Sequence, residues 1–307
     1  FGATLLMLMA CAASSIAFAQ QTGFFPVPPS VNGVRGHAIG DLNNDGRDDL
    51  VGVVFDLSKP FLPDATGTSV SGYVNIAVIV SLNATDGSFQ SISNQATTLY
   101  SYQSSLFDFG ADRFVKQLAD INGDGKLDIV LFNLHIDNGQ LAGSPRGVSK
   151  SVVFYGMGDG TVNPAFTMLA LPSSATEEQF STKSGVFADM NGDDKADYVA
   201  PSQTGFNILI YPGDGSGGFS SSPSSSTAVS SPAGSTLTDI KSLVVADMNN
   251  DGLRDIGFIA DNSTADIANL QSLHVMTASA NGTIVDMIID TFQLPNDRFT
   301  KLIAQNT

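Results

Sequence analysis

The sequence predicts an all-β fold built from repeated four-stranded sheets, and three observations predict it. A nine-residue acidic pattern occurs four times along the chain. A short apolar or β-branched run follows each copy, and an Asp-Gly or Asn-Gly turn lies further on in each unit. Composition points the same way. Of the 30 acidic residues, 28 are Asp, and only Glu177 and Glu178 are Glu. Asp favours turns and oxygen-rich loops, whereas Glu favours helices.

The remaining composition sets limits. The 307 residues are 42% hydrophobic and 14% charged, enough for one large domain or two ordinary ones and too apolar for a disordered acidic tail. A formal charge of −16 argues against nucleic acid or an anionic membrane surface as the main partner. With Cys11 as its single cysteine, the chain has no disulfide framework and no cysteine-based zinc site.

Residues 5–19 (LLMLMACAASSIAFA) are apolar, uncharged and short for a membrane span. Ala17-Phe18-Ala19 before Gln20 fits the small-x-small cleavage site of a secretory signal, so residues 1–19 are expected to be a signal segment cut short at its start. An alternative reads Leu8-Met9-Ala10-Cys11 as a loose lipobox with lipid on Cys11. Either way the expected location is secreted or cell-surface, extracellular or periplasmic.

The four loops are 41–49 (DLNNDGRDD), 120–128 (DINGDGKLD), 189–197 (DMNGDDKAD) and 247–255 (DMNNDGLRD). Their chemistry suits calcium, a hard cation that takes about six to eight oxygen ligands. Positions 1, 3 and 5 put alternate side-chain oxygens on one side of a curled backbone. These are Asp41, Asn43 and Asp45; Asp120, Asn122 and Asp124; Asp189, Asn191 and Asp193; and Asp247, Asn249 and Asp251. Position 7 offers a backbone carbonyl, from Arg47, Lys126, Lys195 or Leu253. Position 9 is expected to close the shell with a carboxylate, from Asp49, Asp128, Asp197 or Asp255. Glycine at position 6 permits the positive φ of the sharp turn, and Asp194 takes that place in the third loop at some cost. Together the loops hold 14 of the 30 acidic residues, and four divalent ions would halve the net charge of −16. The bland alternative is four Asx-rich turns that bind nothing. An EF-hand is excluded, because position 12 is Gly52, Leu131, Ala200 or Phe258 rather than Glu, and strand-like runs flank the loops.

Each unit then orders itself. The runs 50–55, 129–134, 198–200 and 256–260 read as strands directly after the loops. A third strand is expected at 73–80, 151–155, 206–211 and 272–276. The turns at Asp86-Gly87, Asp159-Gly160, Asp214-Gly215 and Asn281-Gly282 lead to a fourth. The first Asp recurs at 41, 120, 189 and 247, and four-stranded repeats of that size are the blades of a β-propeller. The expected blades are about 24–96, 113–170, 185–220 and 241–292, with the Ser/Gly/Pro-rich stretch 216–235 as a flexible inter-blade linker.

The D-x-N-x-D-G-x-x-D loop with its trailing G-D-G-x-F turn resembles the FG-GAP/VCBS repeats of integrin α-subunits and many secreted bacterial proteins. The likeness runs over about residues 24–304. It implies calcium in the loops and a propeller of about seven blades. Residues 298–304 (RFTKLIA) align with 113–119 (RFVKQLA), so 299–307 is expected to start a fifth unit of an incomplete ring, with a closed four-bladed propeller as the alternative. The chain departs from the pattern in its four full units and in Asp194.

The expected function is that of a calcium-stabilised scaffold that binds proteins or glycans, as in adhesion. The alternative is the propeller part of an extracellular polysaccharide-degrading enzyme. Long connections at about 56–72, 135–150 and 261–271 are the expected recognition surface, with Phe61, Tyr100, Tyr102, His135 and Arg146 as candidate contacts. Catalysis has little support. His37, His135 and His274 lie in different units, and no nucleophile-elbow, zinc-protease or phosphate-loop pattern occurs.

Overall fold

The computed structural model describes residues 34–56, 62–63, 70–71, 74–99, 102–103, 116–136, 148–172, 185–202, 205–264, 270–279 and 283–293. They form an all-β, four-bladed propeller array of four-stranded antiparallel sheets. The first sheet is β1 (Val34–Gly40), β2 (Asp49–Asp56), β5 (Val74–Asn83) and β6 (Phe89–Leu99). The second is β8 (Lys116–Ala119), β9 (Asp128–Ile136), β10 (Val148–Phe154) and β11 (Thr167–Met168). The third is β12 (Val186–Ala188), β13 (Asp197–Pro201), β14 (Asn207–Tyr211) and β15 (Ser225–Ala228). The fourth is β16 (Thr236–Ala246), β17 (Asp255–Ser263), β18 (Leu270–Ala278) and β19 (Ile284–Gln293). Each acidic loop joins the first strand of its sheet to the second, as the repeat predicts.

Period-two alternation explains the stacking. Ile129 and Leu131 of β9 enter the core shared with Val51, Val78 and Val80 of the first sheet. Their neighbour Val130 points the other way, into the core shared with Phe187, Tyr198 and Tyr211 of the third. One sheet on, Tyr198 and Ala200 face back while Val199 faces forward, toward Ile256 and Phe258. Ile129, Val130 and Leu131 are each 0% exposed, so consecutive residues are buried on opposite faces. Burying such a side chain is worth about 1.5–3 kcal/mol, and a one-residue slip would exchange the two faces.

The hairpin glycines are placed by close approach. A Cβ on Gly156 or Gly213 would lie 2.1 Å from the carbonyl oxygen of Leu127 or Ala196. The aromatic residue that closes the third turn, Phe219, packs in tilted geometry with ring centroids 5.4 Å from Phe187 and 5.9 Å from Tyr198.

Two features differ from expectation. The stretch 216–235 is not a bare linker, because β15 within it is the outer strand of the third sheet and extends that blade beyond residue 220. Ser-rich sequence tolerates this place, since an outer strand needs backbone pairing rather than an apolar face: β15 pairs with Asn207 to Ile210 of β14. The second feature is a small extra sheet of β3 (Leu62–Pro63), β4 (Val70–Ser71) and β7 (Tyr102–Gln103). Residues 1–19, Cys11 and the expected fifth-unit start at 299–307 lie outside the described residues. Among the described residues no helix is long and apolar enough to cross a membrane.

Candidate functional site

The acidic loops are near-copies of one another. In the first, Asp45 N donates to Asp41 Oδ1 and to Asn43 Oδ1, both at 3.1 Å. Gly46 N donates to Asp41 Oδ2 at 2.7 Å, and Arg47 N to Asp45 Oδ1 at 3.0 Å. The contact between position 6 and position 1 recurs at Gly125, Asp194 and Gly252, at 2.7, 2.9 and 2.9 Å. Side-chain oxygens from positions 1, 3 and 5 therefore bend inward over the loop's own amides.

Two residues per loop, not one, are left-handed. Position 6 has φ of 82°, 79°, 63° and 85° at Gly46, Gly125, Asp194 and Gly252. Position 4 has φ of 58°, 72°, 80° and 61° at Asn44, Gly123, Gly192 and Asn250. Asn and Gly are the residues that take this region at least cost, so the N/G alternation at position 4 carried a signal that the sequence reading passed over. Asp194→Gly is expected to stabilise the chain by about 0.5–1 kcal/mol, read as a higher urea midpoint in chelator. An unchanged or lower midpoint would show that the third loop carries no backbone strain.

Position 9 has a second task. Asp128 is 0% exposed. Its Oδ2 accepts from Ile121 N at 2.9 Å, and its Oδ1 accepts from Gly156 N at 2.8 Å. One carboxylate thus ties its own loop to the start of the next hairpin. Asp49 does the same with Leu42 and Asn83, Asp197 with Met190 and Gly213, and Asp255 with Met248 and Ala278.

Burial pushes the Asp128 carboxyl up to about 6, against the two N–H donors and with help from the negative charges of Asp120 and Asp124. Asp49 and Asp197 are raised for the same reasons. A folded pKa above the unfolded one gives stability that is present below the unfolded value and lost as pH rises through the folded value. In chelator, the wild type is therefore expected to lose about 2 kcal/mol from Asp128 between pH 4 and pH 7. Asp128→Asn should remove that slope, and melting curves across the pH range check it. An unchanged slope would refute the assignment.

Among the described residues, no three His, Cys, Asp or Glu side chains converge closely enough to hold a metal as they lie. The donor chemistry fits calcium all the same. Every inward group is a hard oxygen, and the carboxylates of positions 1 and 5 lie near enough to position 9 to raise its proton affinity in three loops. In the first two loops the cation at position 7 moderates that repulsion. Arg47 pairs with Asp45, Lys126 Nζ lies 3.3 Å from Asp124 Oδ2, and the stems of Lys126 and Lys195 cover Gly158 and Gly215.

With this geometry in place, one loop and its blade can be compared with known repeats. Residues 189–258 match the FG-GAP-like repeat family. That FG-GAP-like repeat spans the third loop, the rest of the third blade and the fourth loop. No curated protein matches the sequence. Among solved structures, an Agrocybe aegerita lectin described as recognising non-reducing terminal N-acetylglucosamine is similar at 17% identity and a TM-score of 0.36, over 84% of this chain and 71% of that one.

A second polar constellation was missed by sequence reasoning. In the fourth blade, whose first strand and loop lie within the FG-GAP-like match, Ser272 Oγ lies 2.7 Å from His274 Nε2, and His274 Nδ1 lies 3.0 Å from Asp286 Oδ1. Hydrogen bonds from His274 and Ser230 outweigh the raising effect of burial and hold Asp286 below its ordinary value. An ionised Asp286 can only accept, so Nδ1 carries a proton, and in the neutral ring Nε2 accepts from the Ser272 hydroxyl. This is the order of a serine-hydrolase relay, but Ser272 and His274 are both 0% exposed and His274 stacks on Phe258 at 4.7 Å. Asn262 Nδ2 donates to Ser272 Oγ at 2.8 Å, and Ser230 N to Asp286 Oδ2 at 2.7 Å. With Ser272 and His274 closed off from solvent, the network is a strut that ties β18 to β19 and, through the exposed Ser230, to the stretch after β15. Of the expected recognition residues, Phe61, Tyr100 and Arg146 lie outside the described residues, whereas Tyr102 is in β7 and His135 in β9.

Proposed function

We propose that this chain is a secreted or cell-surface scaffold whose loops bind calcium and whose rigid blades present a surface to a protein or glycan. Each ion takes the side-chain oxygens of positions 1, 3 and 5, the carbonyl of position 7 and the carboxylate of position 9. The observation that carries the reading is the fourfold recurrence of one inward-facing oxygen set beside a buried position-9 carboxylate that ties the loop to its hairpin through two backbone amides. An ion there would relieve the mutual repulsion and stiffen loop and hairpin at once.

Extracellular calcium modules often bind with Kd of about 10⁻⁴–10⁻³ M. At about 1 mM calcium each filled site then adds about 0.4–1.4 kcal/mol by mass action. Calcium is expected to raise the Tm by several degrees and chelator to reverse the rise. Asp124→Ala should shrink that rise more than Asp48→Ala, which lies outside the ligand pattern. No calcium response in the wild type, or equal responses in the two variants, would refute the ion assignment. Glycan and matrix-protein arrays with and without calcium test the partner: calcium-dependent retention supports the scaffold reading, and turnover of a polysaccharide would overturn it.

A further inference from the structure

Position 4 is left-handed in all four loops, and two residue types share the place. The first and fourth loops carry Asn44 and Asn250, both exposed. Asn enters this backbone region at little cost, so local conformation alone does not demand glycine. At Gly123 of the second loop a neighbour does. A Cβ on Gly123 would lie 2.8 Å from the carbonyl oxygen of Asp194 and 3.4 Å from Lys195 Cγ, both in the third loop. Gly192, at the same place in the third loop, has φ of 80°, yet a Cβ there would meet nothing within 4 Å. The second and third loops therefore share a wall, with Gly123 on one side and the Asp194–Lys195 peptide on the other.

Expected ligands hold both sides of that wall. Gly123 stands between Asn122 and Asp124, positions 3 and 5 of its loop, and its N–H donates to Asp120 Oδ1 at 2.8 Å. Across the wall, Asp194 N donates to Asp189 Oδ2 at 2.9 Å and Lys195 N to Asp193 Oδ1 at 3.1 Å. The peptide that faces Gly123 is thus fastened to positions 1 and 5 of the third loop. Two further ties fix the spacing of these blades. Gln117 grips the backbone of Phe187 through bonds of 2.7 and 2.9 Å, and Ala170 N donates to Gly217 O at 2.9 Å.

We propose that the second and third loops take calcium as a cooperative pair, the first ion ordering the wall against which the other loop closes. This rests on calcium filling the loops at all. An ion in either loop fixes its ligands, and with them the residue that stands at the wall. The other loop then closes against a set neighbour and has less backbone freedom left to lose, which gives positive coupling without a change of fold. Repulsion between the two ions opposes the effect. It acts through solvent and is screened by salt, whereas the contact is not.

Amide NMR of the full chain, titrated with calcium in about 0.5 M sodium chloride, tests the coupling, because the Debye length there is about 4 Å. The amides of Gly46, Gly125, Asp194 and Gly252 report the loops one by one, each being bonded to the position-1 carboxylate of its own loop. Asp193→Ala, which disables the third loop, is expected to raise the calcium midpoint at Gly125 about fivefold and to leave that at Gly46 unchanged. Asp124→Ala should raise the midpoint at Asp194 by the same factor, since linkage is reciprocal. Gly123→Asn introduces a residue that two sister loops carry at this place, but it drives a side chain into the wall, and both loops should weaken. Gly192→Asn should leave the second loop as it was. Should Gly123→Asn fail to fold, the two aspartate variants carry the test at exposed residues. Calcium shifts at all four amides with a Gly125 midpoint indifferent to Asp193→Ala would overturn the coupling and leave the ion assignment standing. So would an equal effect of Gly123→Asn and Gly192→Asn on the second loop. No calcium shift at any of the four amides would overturn both.

Discussion

Asp128→Ala is expected to destabilise the chain by about 2–4 kcal/mol in chelator, the largest effect of any acidic-loop substitution. The variant strands two buried amides, Ile121 N and Gly156 N, and an unsatisfied buried donor costs about 1–3 kcal/mol. Part of that loss is returned, because the wild type buries a carboxylate that burial itself disfavours. Asp128→Asn keeps one acceptor oxygen and turns an NH₂ toward the other amide, so its cost should be smaller, about 1–2 kcal/mol. Asp124→Ala removes a bond to Lys126 N and an ion pair at a solvent-exposed loop, and should cost under about 1 kcal/mol without calcium. Urea midpoints measure all three. If Asp128→Ala and Asp124→Ala proved equal in chelator, position 9 would be a loop ligand only and not a structural tie.

The loops were legible because their spacing is rigid and their residues few in kind. So was the sheet order, because every loop is followed by β-branched residues such as Ile129-Val130 and closes on an Asp-Gly or Asn-Gly turn. The work of position 9 was not legible. A one-letter Asp reads alike as ligand, turn former or buried tie, and only register shows Asp128 Oδ1 meeting Gly156 N across 28 residues. The strand at 225–228 was hidden for the opposite reason: an outer strand gains from backbone pairing alone, so its Ser-Ser-Thr-Ala carries no apolar alternation. The relay in the last blade left a faint trace. Ser272 and His274 stand two apart and so share a strand face, and the pairing of β18 with β19 brings Asp286 opposite Met276, diagonal to His274.

That relay yields the other large effect. Asp286→Ala should cost about 3–5 kcal/mol at pH 7, because it breaks the buried His274–Asp286 pair and leaves His274 Nδ1, in a residue that is 0% exposed, without its acceptor, whereas the donors of the exposed Ser230 turn to water. Asp290→Ala on the same strand is the control, since Asp290 is exposed and accepts from Thr291 N next to it. The two should differ by more than 2 kcal/mol. The sign with pH follows from the lowered Asp286 pKa: its stability is present above the unfolded value and lost as pH falls through the folded one. The wild-type advantage over Asp286→Ala should therefore shrink in acid, opposite to the slope from Asp128. A second reading separates tie from bulk packing. Ser230 leads from β15 toward β16, so freeing it should open residues 229–235 to limited proteolysis in Asp286→Ala, and Ser230→Ala should open them to a smaller extent because Ser230 N keeps its bond to Asp286. Equal protection of that segment in wild type and Asp286→Ala would mean that neighbouring side chains hold it and that the strut fastens only β18 to β19.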